Sequence, residues 1–277
     1  MRVLDFFVML FLFVLLAVGM YLLWWNFPTQ STEFELYVAN LSLDLPNESS
    51  QFHPNMRYPD REISYFLSQN CSARKKNDFE GAVEFLERRT ILSFYESRIS
   101  PEIWVTCSNV APEPNEEGHF IAGEGGPSTI LNATQYAVIM TGKVALYRDE
   151  ACDTPQVATH EILHALGFDH NSNPDSIMYP VTNCDQEIDQ HIINEIRDLY
   201  SVPSAADLVI ESVKANKTGR YLNFEAVIAN YGLKGVEESK LKVIVDGSVI
   251  EEFESEDIDI GAKKSLTVTM GVPRKTE

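Results

Sequence analysis

The chain has 277 residues, 44% of them hydrophobic, which is enough for one large packed domain and a smaller module beside it. A formal net charge of −19 opposes binding to a polyanion, so nucleic acid is set aside as a partner. The cysteines number four, Cys71, Cys107, Cys152 and Cys184, and no CxxC spacing occurs, which excludes a cysteine-only zinc cluster and suits two disulfides outside the cytoplasm.

In chain order, Phe6 to Trp25 is an apolar run without a charge, long enough to cross a bilayer of about 30 Å as a helix. Arg2 precedes it, and Tyr21, Trp24 and Trp25 form an interfacial belt at its far end. This pattern favours an uncleaved anchor with everything downstream extracytoplasmic. The alternative is a signal peptide cut near Ala17-Val18-Gly19, giving a secreted protein. Residues 28–55 are rich in Asn, Ser, Pro and Thr and read as a linker. Sequons at Asn40, Asn47, Asn70, Asn132 and Asn216 are compatible with export.

The folded part is expected to begin near Met56. Strands are expected at Ile63–Leu67, Leu92–Phe94 and Ile103–Cys107. A helix is expected over Asp78–Arg88, with Asn77 as its cap. Ala122 to Pro127, with three glycines, reads as a loop or bulge, and Ala137 to Tyr147 as two short strands around Thr141-Gly142. Asp153-Thr154-Pro155 is the expected start of another helix, with the proline at its first position. Ile188, Ile192, Ile193, Ile196 and Leu199 form the stripe of a last helix, which closes an α+β domain over residues 56–202. Residues 203–277 hold only strand-like runs, with a hairpin signal at Asp246-Gly247, and read as a small all-β sandwich. The cysteines allow three pairings. The favoured one, Cys71–Cys107 with Cys152–Cys184, closes each loop within one half of the domain.

The chemistry concentrates in His160-Glu161-Ile162-Leu163-His164-Ala165-Leu166-Gly167-Phe168-Asp169-His170. Histidines four apart share one helix face and can grip a metal ion together. Gly167 can turn the chain back so that His170 adds a third nitrogen. Three protein ligands leave one tetrahedral position open, the pattern of a single catalytic Zn2+. Glu161 points along a different bearing. It is placed as the catalytic general base that takes a proton from water and returns it to the leaving amine.

This motif, followed by Met178-Tyr179-Pro180, resembles the metzincin zinc endopeptidases, and within them the matrixin family. The resemblance is strong over about residues 150–200. It implies a twisted sheet above the active-site helix, a C-terminal helix, and Met178 as the floor of the zinc site. It also implies a protein or peptide substrate lying extended along an edge strand, against a primed-side wall from Pro180 to Asn183. There are departures. The chain has no P-R-C-G segment, Asn171 stands where a serine is usual, and His191-Ile192 stands where paired aspartates are usual. Cysteine-switch latency and structural ions are therefore not carried over; His53, His119 and His191 are given no role. The tail, from Ala206-Asp207-Leu208-Val209-Ile210 through Asn230-Tyr231-Gly232 and Val245-Asp246-Gly247, resembles the immunoglobulin-like CARDB adhesion module, with final strands missing and a possible surface ligand. The expected function is a membrane-anchored zinc endopeptidase acting outside the cell. The alternative is a catalytically inactive surface binding protein.

Overall fold

A computed structural model describes residues 3–26, 31–37, 50–113, 121–133 and 135–272. Asn40, Asn47 and His119 lie outside the described residues, as do the side chains of Trp24 and Trp25. The N-terminal helix α1 (Val3–Asn26) contains an 18-residue span, Phe6–Leu23, of mean hydropathy 2.8, none of it buried. Its length and composition are sufficient to cross a membrane.

The mixed α+β body is built on a six-stranded sheet. Its strands are β2 (Met56–Arg57), β3 (Glu62–Leu67), β4 (Ser93–Glu96), β5 (Ile103–Cys107), β6 (Gly123–Ala133) and β7 (Tyr136–Leu146). The order is β2-β7-β5-β3-β4 with parallel pairings, and β6 is added antiparallel to β7 as an edge strand. Helices α2 (Ala73–Arg89) and α3 (Gln156–Ala165) pack together, and α3 also lies against β6 and β7. Phe79, Ala82, Val83 and Leu86 of α2 and Ile162, Leu163 and Ala165 of α3 fill the core with Ile63, Ile103, Val105 and Val144. Helix α4 (Gln190–Ser201) closes the domain with Ile192, Ile193, Ile196 and Leu199 inward. Tyr58 joins α4 to α3: its N–H donates to the Tyr200 hydroxyl (2.9 Å), and its own hydroxyl donates to the Ala165 carbonyl (3.1 Å). Disulfides link Cys71 to Cys107 and Cys152 to Cys184.

Several expectations are corrected. α2 begins at Ala73, five residues before Asp78, and Ser72 rather than Asn77 caps it, its hydroxyl accepting from Lys75 N–H. Lys75 hides the apolar period of that first turn. It is buried, with its ammonium donating to the Ser108 and Tyr147 carbonyls and to Asn109 Oδ1. Of the loop or bulge expected at residues 122–127, the loop is not found: residues 123–127 belong to strand β6, where glycine lets the strand run close against α3, and a register shift follows Pro127. The two strands expected around Gly142 are one, β7. Pro155 is the cap position of α3, not its first residue, and Asp153 gives it no side-chain bond. The Glu150 carboxylate accepts instead from Val157 N–H (2.9 Å).

The linker reading of residues 28–55 is corrected for residues 31–37 and 50–55, the others lying outside the described residues. Residues Ser31–Tyr37 form strand β1. Ser50 to Asn55 already belong to the α+β body: Gln51 is buried with its side chain bonded to both polar groups of the Met56 backbone, and Ser50 Oγ donates to Glu195 (2.5 Å). Ser50 to Asn55, poor in apolar residues, are held to the body largely by hydrogen bonds.

The C-terminal part holds β8 (Leu208–Thr218), β9 (Tyr221–Asn230), β10 (Val236–Val245), β11 (Ser248–Ile258) and β12 (Lys263–Gly271). They form a four-stranded antiparallel sheet, β1-β8-β9-β12, and a two-stranded sheet, β10-β11. Phe224 of β9 meets Phe253 of β11 with ring centroids 6.1 Å apart. Asn230, fully buried, accepts from Asp207 and Gly232 N–H and donates to the Lys234 and Ile258 carbonyls, so one amide knots three chain segments. At this end Leu233 and Ile260 pack on Ala133, Tyr136, Val138 and Met140 of β6 and β7.

Candidate metal centre and active site

α3 carries His160, Glu161 and His164, all nearly inaccessible to solvent. The helix ends at Ala165, and Gly167 just beyond it has a φ of +97° that turns the chain in a way that a side chain would oppose; a Cβ there would also strike Met56. Beyond this turn, Asp169 Oδ1 accepts from the N–H of His170, and His170 comes back over the helix. Asp169 therefore bonds the backbone rather than a ligand ring.

The three Nε2 atoms converge. They lie 3.0 Å (His160–His164), 3.2 Å (His160–His170) and 3.1 Å (His164–His170) apart. Nδ1 of His160 meets the Ile177 carbonyl (2.5 Å) and Nδ1 of His164 the Phe168 carbonyl (2.7 Å). Carbonyls only accept, so both Nδ1 atoms carry the proton and both Nε2 lone pairs face the common centre. Ligands held about 2.0–2.1 Å from a tetrahedral zinc would sit roughly 3.3 Å apart, so the triad fits that ion. Burial holds all three rings below the ordinary imidazole value, with His160 down to about 4 through burial and then the neighbouring His164. The neutral ligand form is thus the resting form. Among the described residues this triad is the one cluster with metal-ligand spacing.

Met178 is completely buried, with its N–H on Ser176 Oγ and its carbonyl accepting from Asn171 N–H (3.0 Å). Glu161 faces β6: a Cβ on Gly123 would lie 2.6 Å from its side chain, and one on Gly125 would overlap its carbonyl oxygen. The glycines therefore set how closely the edge strand approaches Glu161. Burial, and then the Glu124 carboxylate, push Glu161 up to about 8. Glu124 itself accepts from the Tyr147 hydroxyl (2.6 Å).

Several residues that shape the site had no mark in the sequence. Phe52 stacks on the His164 ring, centroids 5.7 Å apart, and its N–H donates to the Gly167 carbonyl (2.9 Å). Asp189 gathers Asn171, Asn173 and Ser176 and so holds the chain between His170 and Met178. Gln186 Nε2 donates to the Pro174 and Val181 carbonyls, and Gln156 Nε2 to those of Cys184 and Gln186, so the segment after Met178 is fixed from inside. Gln156 Oε1 is buried without a hydrogen-bond partner among the described residues.

The family model described as matrixin matches residues 60–201, just over half of the chain, from β3 to the end of α4. No curated protein matches the chain.

Proposed function

The chain belongs to the matrixin family of zinc metallopeptidases, and on that premise we propose that it hydrolyses internal peptide bonds of proteins outside the cytoplasm, with Glu161 as general base. The observation that carries this reading is the convergence of three Nε2 lone pairs within 3.0–3.2 Å, one helix position from a buried carboxylate.

His160, His164 and His170 would hold a single Zn2+. The ion supplies Lewis acidity toward a carbonyl and lowers the pKa of water toward 7. The protein does the rest. Carbonyls of Ile177 and Phe168 lock two of the rings, Asp189 positions the return of the chain, and Met178 fills the floor. A nearby dication favours an ionised Glu161, which counteracts its burial and leaves it basic near neutral pH. Glu161 then takes a proton from the attacking water and delivers it to the leaving amine. The edge of β6 that no described strand pairs offers backbone groups to an extended substrate, by strand addition, and the 180–183 segment supplies the primed-side wall.

α1 serves as an uncleaved anchor, and the two disulfides support an oxidising compartment for the rest. The C-terminal sheets serve as a CARDB-like accessory module. Cleavage of a fluorogenic peptide library by the full chain, abolished by a zinc chelator and restored by about one equivalent of Zn2+, tests the reading. No cleavage of any peptide with zinc bound would leave the inactive binding protein instead.

A further inference from the structure

Strand β1 begins five positions after the last residue of α1, and it runs antiparallel along β8 with Ser31 opposite Thr218. Five extended steps cover at most about 18 Å. The β8–β9 turn beside Ser31 is therefore tied close to the end of α1. The register then fixes the rest of the sheets. β9 and β12 have Tyr221 opposite Gly271 at this same end. β11 ends at Ile258 beside Asn230 while its Phe253 meets Phe224, so the β10–β11 turn at Asp246-Gly247 lies toward the Tyr221 end. The opposite end holds Asn230, Leu233 and Ile260, and there the sheets meet β6 and β7 of the peptidase. Ten residues of β9 separate the two ends, a rise of roughly 33 Å.

We infer that the C-terminal sheets are a post that stands on the bilayer and holds the active site on the order of 30 Å above it. This inference rests on α1 being a membrane anchor. Charge favours the upright arrangement. The lower turn presents exposed Arg220 and Tyr221, a pair suited to lipid headgroups, with Asp246 the one acid in the two lower turns. The flank of β10 and β11 exposes Glu237, Glu238, Glu251, Glu252, Glu254 and Glu256, with only two of them paired to Lys240 and Lys242. An anionic membrane surface repels that flank and opposes a post lying on its side. The substrates this arrangement selects are protein segments that stand well clear of the membrane, not stalks that emerge directly from it. The membrane-proximal strand also explains why residues 31–37 are ordered against a sheet that is remote in sequence.

Because the native cysteines are all in disulfides, an introduced cysteine is the single free thiol. Full-length Arg220→Cys and Glu237→Cys, each carrying a donor fluorophore, are reconstituted into phosphatidylcholine–phosphatidylglycerol vesicles with acceptor-labelled headgroups. Transfer should be at least about twofold stronger from position 220 than from 237, given a height difference of about 30 Å. A Gly-Ser insertion between positions 28 and 29 should weaken transfer from 220. Equal transfer from both positions, or stronger transfer from 237, overturns the post. Failure of the chain to stay with vesicles overturns the anchor and the post with it. In a separate arm, peptides are tethered to lipid through spacers of graded length. Cleavage should begin only with long spacers, while the untethered peptide is cut freely. Equal cutting at every spacer length overturns the substrate class. No cutting of the untethered peptide overturns the peptidase reading alone, since the fluorescence arm decides the post without it.

Discussion

Gly125 sits where β6 crosses α3, and its missing side chain is a geometric requirement: a Cβ would overlap the Glu161 carbonyl oxygen. Gly125→Ala should push the edge strand off the helix, cost about 1–3 kcal/mol of stability, and reduce peptide cleavage by about 100-fold through misplacement of the substrate edge. Activity near wild type would show that β6 does not set the cleft. His160 makes a second prediction. Protons compete with a metal for Nε2, and an ordinary imidazole starts to lose that competition as pH falls through 6.5. Burial holds all three rings below that value, so affinity should be full above it and should persist to lower pH. Competition against a chromophoric chelator between about pH 8 and 5 measures this; an affinity that declines in step with a midpoint of 6.5 would contradict it. The histidines were legible because metal ligation demands fixed residue types at fixed spacing. Arg57 and Lys75 were not, since a lone cation in sequence reads as surface. Here both are buried, Arg57 donating to the Leu199 and Val202 carbonyls at the end of α4 while stacking on Tyr200.

Among the elements, α3 and α4 were read at nearly their observed positions, because apolar periodicity and the motif agreed there. The start of β6 reads in sequence as a loop or bulge because glycine is scarce in strands, and the reason for glycine there, close approach to a helix, is tertiary. The disulfide Cys152–Cys184 joins the start of α3 to the segment after Met178, across 32 residues. Closing a loop of that length is worth about 3–4 kcal/mol by chain entropy. The double variant Cys152→Ser/Cys184→Ser should lower the urea midpoint accordingly. It should also change the primed-side preference of cleavage, because Gln156 and Gln186 alone would then hold the loop. An unchanged midpoint would show that the glutamines suffice.

Among the described residues, a buried apolar cluster joins the two bodies. Leu233→Asp places a carboxylate against Ala133 and Val138, both fully buried, and should cost about 2–4 kcal/mol while opening residues 203–206 to limited proteolysis. Unaltered protection would mean that the bodies are joined by the covalent chain alone. The domain order could be read from the change of texture after Pro203, but the return of residues 31–37 to the far sheet could not, since strand pairing over such a separation leaves no local pattern. The account as a whole depends on Glu161 acting on a substrate held at the histidines. Its most direct test is Glu161→Gln in the full chain, with bound metal and peptide cleavage measured on the same sample. One zinc per chain retained, with cleavage reduced by at least about 100-fold, is the expected result; full cleavage by that variant would contradict the account.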